Sequence, residues 1–205
     1  MEQYGPAKSA CEAYVRNALG ERGLIVRPGL IAGPGDPSDR FGYWVGRMAL
    51  AGSEPVLIPD AAANWCQVID VRDLAEWLLD AAHAGLTGAV NAVGESRRLG
   101  DVLALCAERA HFSGAMARAT EAFLEDEKVE PWAGPRSLPL WLPAADAGFF
   151  GQAPDRRARD AGLRRRPLEG TIDDVLADER IRGLDRPRQA GLTWDEERAL
   201  LSIMS

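Results

Sequence analysis

An α/β fold with parallel strands is what this sequence predicts, and three observations predict it. Leu24-Ile25-Val26 is a short apolar run without alternation, the pattern of a strand buried on both faces. It follows a helical stretch at residues 3–20, and further strand and helix patterns alternate behind it. It also runs into Arg27-Pro28-Gly29-Leu30-Ile31-Ala32-Gly33-Pro34-Gly35-Asp36. Prolines and glycines there leave bare backbone at the strand's carboxyl edge, where open α/β sheets hold their ligands.

The first helix is filled by Ala7, Ala10, Ala13 and Ala18, and Gly20 or Gly23 ends it. Small residues on one face suit close helix contact, within the molecule or across a homodimer. Residues 40–51 form a helix with Phe41, Trp44, Val45 and Met48 on one face, a core stripe or the wall of a substrate cleft. Pro55–Pro59 is a short strand closed by prolines. Trp65–Ile69 is another. Asp70 then caps a helix whose apolar face is Leu74, Trp77, Leu78 and Ala81. Gly88–Gly94 reads as a strand, and residues 98–110 as a helix with Leu99, Val102, Leu103, Leu105 and Cys106 apolar.

Residues 115–120 form a weak strand and 121–128 a short acidic helix. The prolines of residues 131–155 forbid a regular helix or a central strand. That segment is a covering loop over the core or the aromatic wall of a pocket. Arg156, Arg157, Arg159, Arg164, Arg165 and Arg166 form the one basic cluster. A solvated helix face followed by a turn accounts for it; a phosphate or RNA contact is the competing account. A helix starts at residues 171–178, residues 183–192 are a turn-rich linker, and Thr193 caps a last helix to Met204.

At 205 residues the chain holds one sizeable core or two small ones. A net charge of −7 weighs against nucleic acid as a partner. Cys11, Cys66 and Cys106 are odd in number and far apart, without metal or redox spacing. They point to a reducing, cytoplasmic setting and to no metal site. His83 and His111, the only histidines, read as helix-end or surface residues. No apolar run is long enough to span a membrane, and Met1-Glu2-Gln3 has no leader character.

The chemistry lies at Tyr4 and Lys8. Four residues apart on a helix, they share a face one turn apart. An ammonium about 5 Å from a phenol favours the phenolate by about 3 kcal/mol at an effective dielectric of about 20. A phenol so tuned can act as a general acid or base. Of the 24 basic residues only Lys8 and Lys128 are lysines. A chain that writes arginine almost everywhere writes lysine here, where a compact ammonium rather than a planar fork is needed.

Tyr4-Gly5-x-x-Lys8, a helix, a strand, then Arg27-Pro28-Gly29 and Gly33-Pro34-Gly35-Asp36 resemble the second half of an extended or atypical short-chain dehydrogenase/reductase, of the NAD-dependent epimerase/dehydratase group. The Trp65–Leu79 stretch and Gly88-Ala89-Val90-Asn91-Ala92-Val93-Gly94 also look like that family's strand-and-helix and last main-sheet strand. The resemblance implies an incomplete Rossmann-like parallel sheet, its last two strands and the catalytic helix, with a small mixed α/β substrate-binding region. Residues 1–37 and 65–95 would form the first part, and 38–64 and 96–205 the second. It implies Tyr4 as catalytic acid/base and Lys8 as ribose ligand. It places Pro28, Gly29, Leu30 and Ile31 against the nicotinamide end of NAD or NADP, with a small molecule as substrate.

Two departures matter. Cys66 stands where nucleotide-sugar epimerases carry an arginine for the substrate diphosphate. No Gly-x-Gly-x-x-Gly phosphate-binding turn follows a strand, and the resemblance covers only about the last 60 per cent of a family member. The expectation is therefore the catalytic and substrate half of a reductase or epimerase, inactive by itself and shortened at Met1. The competing reading is a non-catalytic nucleotide-sensing or RNA-binding protein on the same scaffold.

Overall fold

The computed structural model describes residues 4–61 and 64–204. The expectation for Met1–Gln3 lies outside these residues. The order is α1 (Tyr4–Leu19), a 3-10 turn (Gly20–Arg22), β1 (Leu24–Pro28), β2 (Leu30–Ala32), α2 (Gly42–Ala51), β3 (Val56–Pro59), β4 (Trp65–Asp70), α3 (Val71–His83) and β5 (Gly88–Ala92). Then come β6 (Ser96–Arg98), α4 (Leu99–Arg109), β7 (Met116–Ala119), α5 (Glu121–Asp126), β8 (Glu130–Trp132), β9 (Ser137–Pro139), α6 (Ala144–Ala147), α7 (Arg156–Asp160), α8 (Leu168–Arg182) and α9 (Trp194–Met204).

The expected α/β architecture is present. β1 pairs with β5 in parallel, from Leu24 opposite Gly88 to Pro28 opposite Ala92. A second sheet has the order β2-β4-β6, with β2 parallel and β6 antiparallel to β4. β3 pairs with β7 and β8 with β9, both in parallel. Two buried apolar clusters follow this division. The larger joins α2, β3, α4 and α8, with Trp44, Val45, Leu103 and Ile172 at its centre. The stripe on residues 40–51 is thus core, not cleft wall. The smaller cluster packs Trp77 and Ala81 of α3 on Val90 and Ala92 of β5, and α7 contributes Ala158.

Four expectations change. First, Pro28–Ile31 is not one turn. The chain leaves β5 at Pro28 and joins β4 at Leu30, with Gly29 the single residue between. A Cβ on Gly29 would sit 2.6 Å from the Gln67 carbonyl oxygen, so only glycine lets the two strands cross this closely. Second, β1 is not buried on both faces: only Ile25 is buried, because β5 is its one strand neighbour among the described residues. Third, Leu78 lies outside the apolar face of α3 and is 37% exposed. Fourth, the proline-rich segment contains β8 and β9. Pro131 and Pro139 fit there because a three-residue edge pair needs few backbone donors. Leu138, Leu140 and Trp141 next to them are buried and cover the core as a long loop would.

Caps explain several boundaries. The Asp70 carboxylate accepts from the Arg72 amide at 2.9 Å and opens α3. Thr193 and Glu196 exchange bonds as a capping box at the start of α9. α8 begins at Leu168, three residues before expectation, because Pro167 precedes it with a φ of −55° already suited to the entry.

Candidate active site

On α1, Tyr4, Lys8 and Glu12 recur every fourth residue and share a face. The Lys8 Nζ lies 5.5 Å from the centroid of the Tyr4 ring. The structure therefore brings the two residues together, as the spacing predicts. The contact is a cation–π one over the ring, in solvent: Tyr4 is 69% exposed, and α1 has no buried residue.

One turn further, Glu12 ties this face to the sheet. Arg27 Nε donates to Glu12 Oε1 at 2.6 Å and Arg27 Nη2 to Glu12 Oε2 at 2.6 Å, a bidentate pair. Arg16 adds a bond to Glu12 Oε2 at 2.8 Å. The Arg27 bond, seconded by Arg16, holds the Glu12 carboxyl at about 2, well below the usual range. Arg27 is the residue before Pro28, so the pair fixes α1 over the carboxyl end of β1.

At that end Pro28 is exposed and Ile31 is 37% exposed, whereas Leu30 is buried in the larger core. Leu30 thus has a packing role, and the surface of the segment is Pro28, Gly29 and Ile31. No hydrogen bond or ring contact joins Tyr4 or Lys8 directly to Pro28–Ile31 among the described residues; the link runs through Glu12 and Arg27. Sequence reading missed that link. Its signal was Glu12 falling four residues after Lys8, with an arginine at the end of the next strand.

A nicotinamide dinucleotide tests this arrangement at two ends. The Lys8 ammonium and the Tyr4 phenol, exposed on one face, fit the hydroxyls of a ribose. The pyrophosphate end has no counterpart: no glycine-rich strand-to-helix turn opens a helix among the described residues.

The other candidates separate from this site. Arg157 donates to the Thr87 and Ala89 carbonyls, Arg165 bonds Asp155, and Arg166 bonds Asp73. Half of the basic cluster is therefore structural clamp rather than solvated face. Arg72 bridges Asp70 and Asp174. Cys66 is buried, and burial pushes its thiol up to about 12. His83 closes α3 with Nδ1 2.8 Å from the Leu79 carbonyl oxygen, and His111 follows α4. No group of three or more His, Cys, Asp or Glu side chains is placed to hold a metal among the described residues. No helix among them is long and apolar enough to cross a membrane.

No protein-family profile and no curated protein matches the chain. Solved structures do. RMD from Pseudomonas aeruginosa complexed with NADPH is similar at a TM-score of 0.60 and 18% identity, over 85% of this chain and 55% of that one. UDP-glucose 4-epimerase from Thermotoga maritima with UDP-glucose aligns at 0.62 and 17%, over 87% and 53%. UDP-N-acetylglucosamine 4-epimerase from Methanobrevibacter ruminantium M1, in complex with UDP-N-acetylmuramic acid, aligns at 0.64 and 13%, over 88% and 54%. The chain thus spans about half the length of these structures and shares with them, over that half, a Rossmann-like α/β fold.

Proposed function

We propose that this chain is the catalytic and substrate-binding half of an NAD(P)-dependent reductase or epimerase of the short-chain dehydrogenase/reductase type. The observation that carries the reading is the Tyr4–Lys8 pair, held over the carboxyl edge of β1 by the Glu12–Arg27 latch. Similarity of fold to structures complexed with NADPH and UDP-glucose supports the class of cofactor and reaction.

In this reading a nicotinamide supplies hydride exchange at a carbon bearing oxygen. Tyr4 gives or takes the proton on that oxygen through its phenol. Lys8 sits beside it, its ammonium over the ring. Lys8 also donates to the ribose. Pro28, Gly29 and Ile31 form the surface against the nicotinamide end. The phosphate end of the cofactor needs an α/β segment that the described residues do not contain, so the 205 residues alone are expected to give little or no turnover. The setting is cytoplasmic, and the face of α1 away from the sheet suits a homodimer.

The experiment is the intact mass of the protein made in its own cells, followed by turnover of that product with NADH and NADPH. A product well above 22.2 kDa that turns over, and loses turnover on Tyr4→Phe while still binding cofactor, is the expected result. Turnover that survives Tyr4→Phe overturns the assignment.

A further inference from the structure

Residues 131–155 read in sequence as a cover over the core or as an aromatic wall. Leu138, Leu140 and Trp141 are the cover. The end of the segment is different. Between Gly148 (φ 35°) and Gly151 (φ 72°) the chain turns and holds Phe149 in solvent, 90% exposed. Phe150 packs edge-on against the Trp132 ring at 4.8 Å. The turn is ordered by its own backbone: the Phe150 amide donates to the Ala147 carbonyl at 2.8 Å and the Gln152 amide to the Phe149 carbonyl at 3.1 Å.

Residues 151–154 strap this turn to the sheets. Ser96 Oγ donates to the Gly151 carbonyl at 2.5 Å. Gln67 Nε2 donates to the Ala153 carbonyl at 2.9 Å, and Gln67 Oε1 accepts from the Ala153 amide at 2.8 Å. Asn91 Nδ2 donates to the Pro154 carbonyl at 3.1 Å. The last bond places the strap. Asn91 is the register partner of Arg27, one strand spacing or about 4.8 Å away. Arg27 in turn holds α1 through Glu12. The strap and the helix of Tyr4 and Lys8 are therefore fastened to neighbouring residues at the carboxyl end of the two-stranded sheet. From there α1 runs to Val15, which lies against Gly23 just before β1. The strap runs to Arg157, which donates to the Thr87 and Ala89 carbonyls at the amino end of β5. Followed the other way, each segment leaves the sheet at its carboxyl end, one toward Tyr4 and the other toward Phe149.

We propose that Phe149 is a specificity residue of the site proposed above, and that the substrate carries an apolar aryl body beside its reacting carbonyl or alcohol carbon. The inference rests on the reading of Tyr4 as the group that handles the oxygen. The Phe149 ring takes the aryl group edge-to-face or offset. A ring carried on an ordered turn loses little freedom on binding. The side-chain donors beneath the strap, Gln67, Ser96 and Asn91, are all engaged with its carbonyls, so what this wall offers a ligand is the ring. A sugar's hydroxyls need polar partners that the strap has already used.

The test uses the full product defined by its intact mass, with 4-fluorophenylalanine in place of phenylalanine for fluorine NMR. The Phe149 signal is the one that Phe149→Leu removes, and at this exposure the change leaves the fold intact. Benzyl alcohol is expected to shift that signal saturably, and glucose to leave it in place. In kinetics, Phe149→Ala should raise KM for benzaldehyde about three- to tenfold and leave KM for acetaldehyde within about twofold. Phe149→Tyr should keep the original ratio. A Phe149 signal that ignores benzyl alcohol, or that glucose shifts equally, overturns the proposal. So does a Phe149→Ala change that acts on both aldehydes alike. Turnover that survives Tyr4→Phe overturns the reading of Tyr4 instead, and the fluorine shift, which needs no turnover, still decides Phe149.

Discussion

Glu12 and Arg27 face each other across fifteen residues with two parallel bonds of 2.6 Å, and they join the helix of the candidate catalytic pair to the end of β1. The Glu12 carboxyl titrates lower in the folded chain than in the unfolded one, where it sits near 4.5. Its contribution to docking is therefore full above about pH 4.5 and is lost as the pH falls toward 2. Carboxyl NMR should place its midpoint near 2, and Arg27→Gln should raise it toward the ordinary range, with Arg16 still holding it below. At constant pH, hydrogen exchange in α1 should quicken in Arg27→Gln while the global melting temperature holds, because α1 buries nothing.

Arg47 and Glu197 form a buried ion pair between α2 and α9. Glu197 Oε1 also accepts from the Leu57 amide at 2.8 Å, and Arg47 lies 4.2 Å from the centroid of the Trp194 ring. Removing one partner leaves the other charged and buried. Glu197→Gln or Arg47→Met should each cost about 3–5 kcal/mol in urea denaturation. The double change Arg47→Met with Glu197→Leu should recover most of that loss.

Gly94 is closed to any side chain, since a Cβ there would lie 1.7 Å from the Val68 carbonyl oxygen. Gly94→Ala should destabilise by about 3 kcal/mol or more. Gly100, in the first turn of α4, has open space around it. Gly100→Ala should stabilise by about 0.5–1 kcal/mol. Thermal melts of the two variants test the contrast.

In the form of the protein that turns over, Tyr4→Phe should lower kcat by about 10²–10⁴ with cofactor affinity preserved. Lys8→Arg keeps the charge but spreads it over a planar group, so it should lower kcat and weaken cofactor binding together. Steady-state kinetics and cofactor titration separate the two effects.

Much of the fold was legible because local patterns carried it. The stripe Phe41, Trp44, Val45 and Met48 needed only helical spacing, and the Asp70 cap needed only an acid before an amphipathic run. The features that escaped depend on distant partners. Nothing near Arg166 in sequence announces that its carboxylate is Asp73, 93 residues away. Glu12 and Arg27 belong to elements of different period, so no single pattern links them. β8 and β9 escaped because the rule against proline applies to central strands, and a three-residue edge pair evades it. Of the site, the Tyr4–Lys8 contact was readable from spacing. The strand switch at Gly29 was not, since it turns on how closely Gln67 approaches.

No side chain of α1 is buried, so the helix that carries Tyr4 and Lys8 draws no hydrophobic cohesion from the core. Its order is borrowed from the Glu12–Arg27 and Glu12–Arg16 ion pairs and from its own backbone bonds. A side-chain pair on such an element opens and recloses far more often than the fold melts. Whatever covers that helix, whether a ligand, a second subunit or another stretch of polypeptide, would raise its local opening free energy along with any activity. Protection of the α1 amides would then track the occupancy of the site, and the slowest-exchanging state of this helix would be its working one.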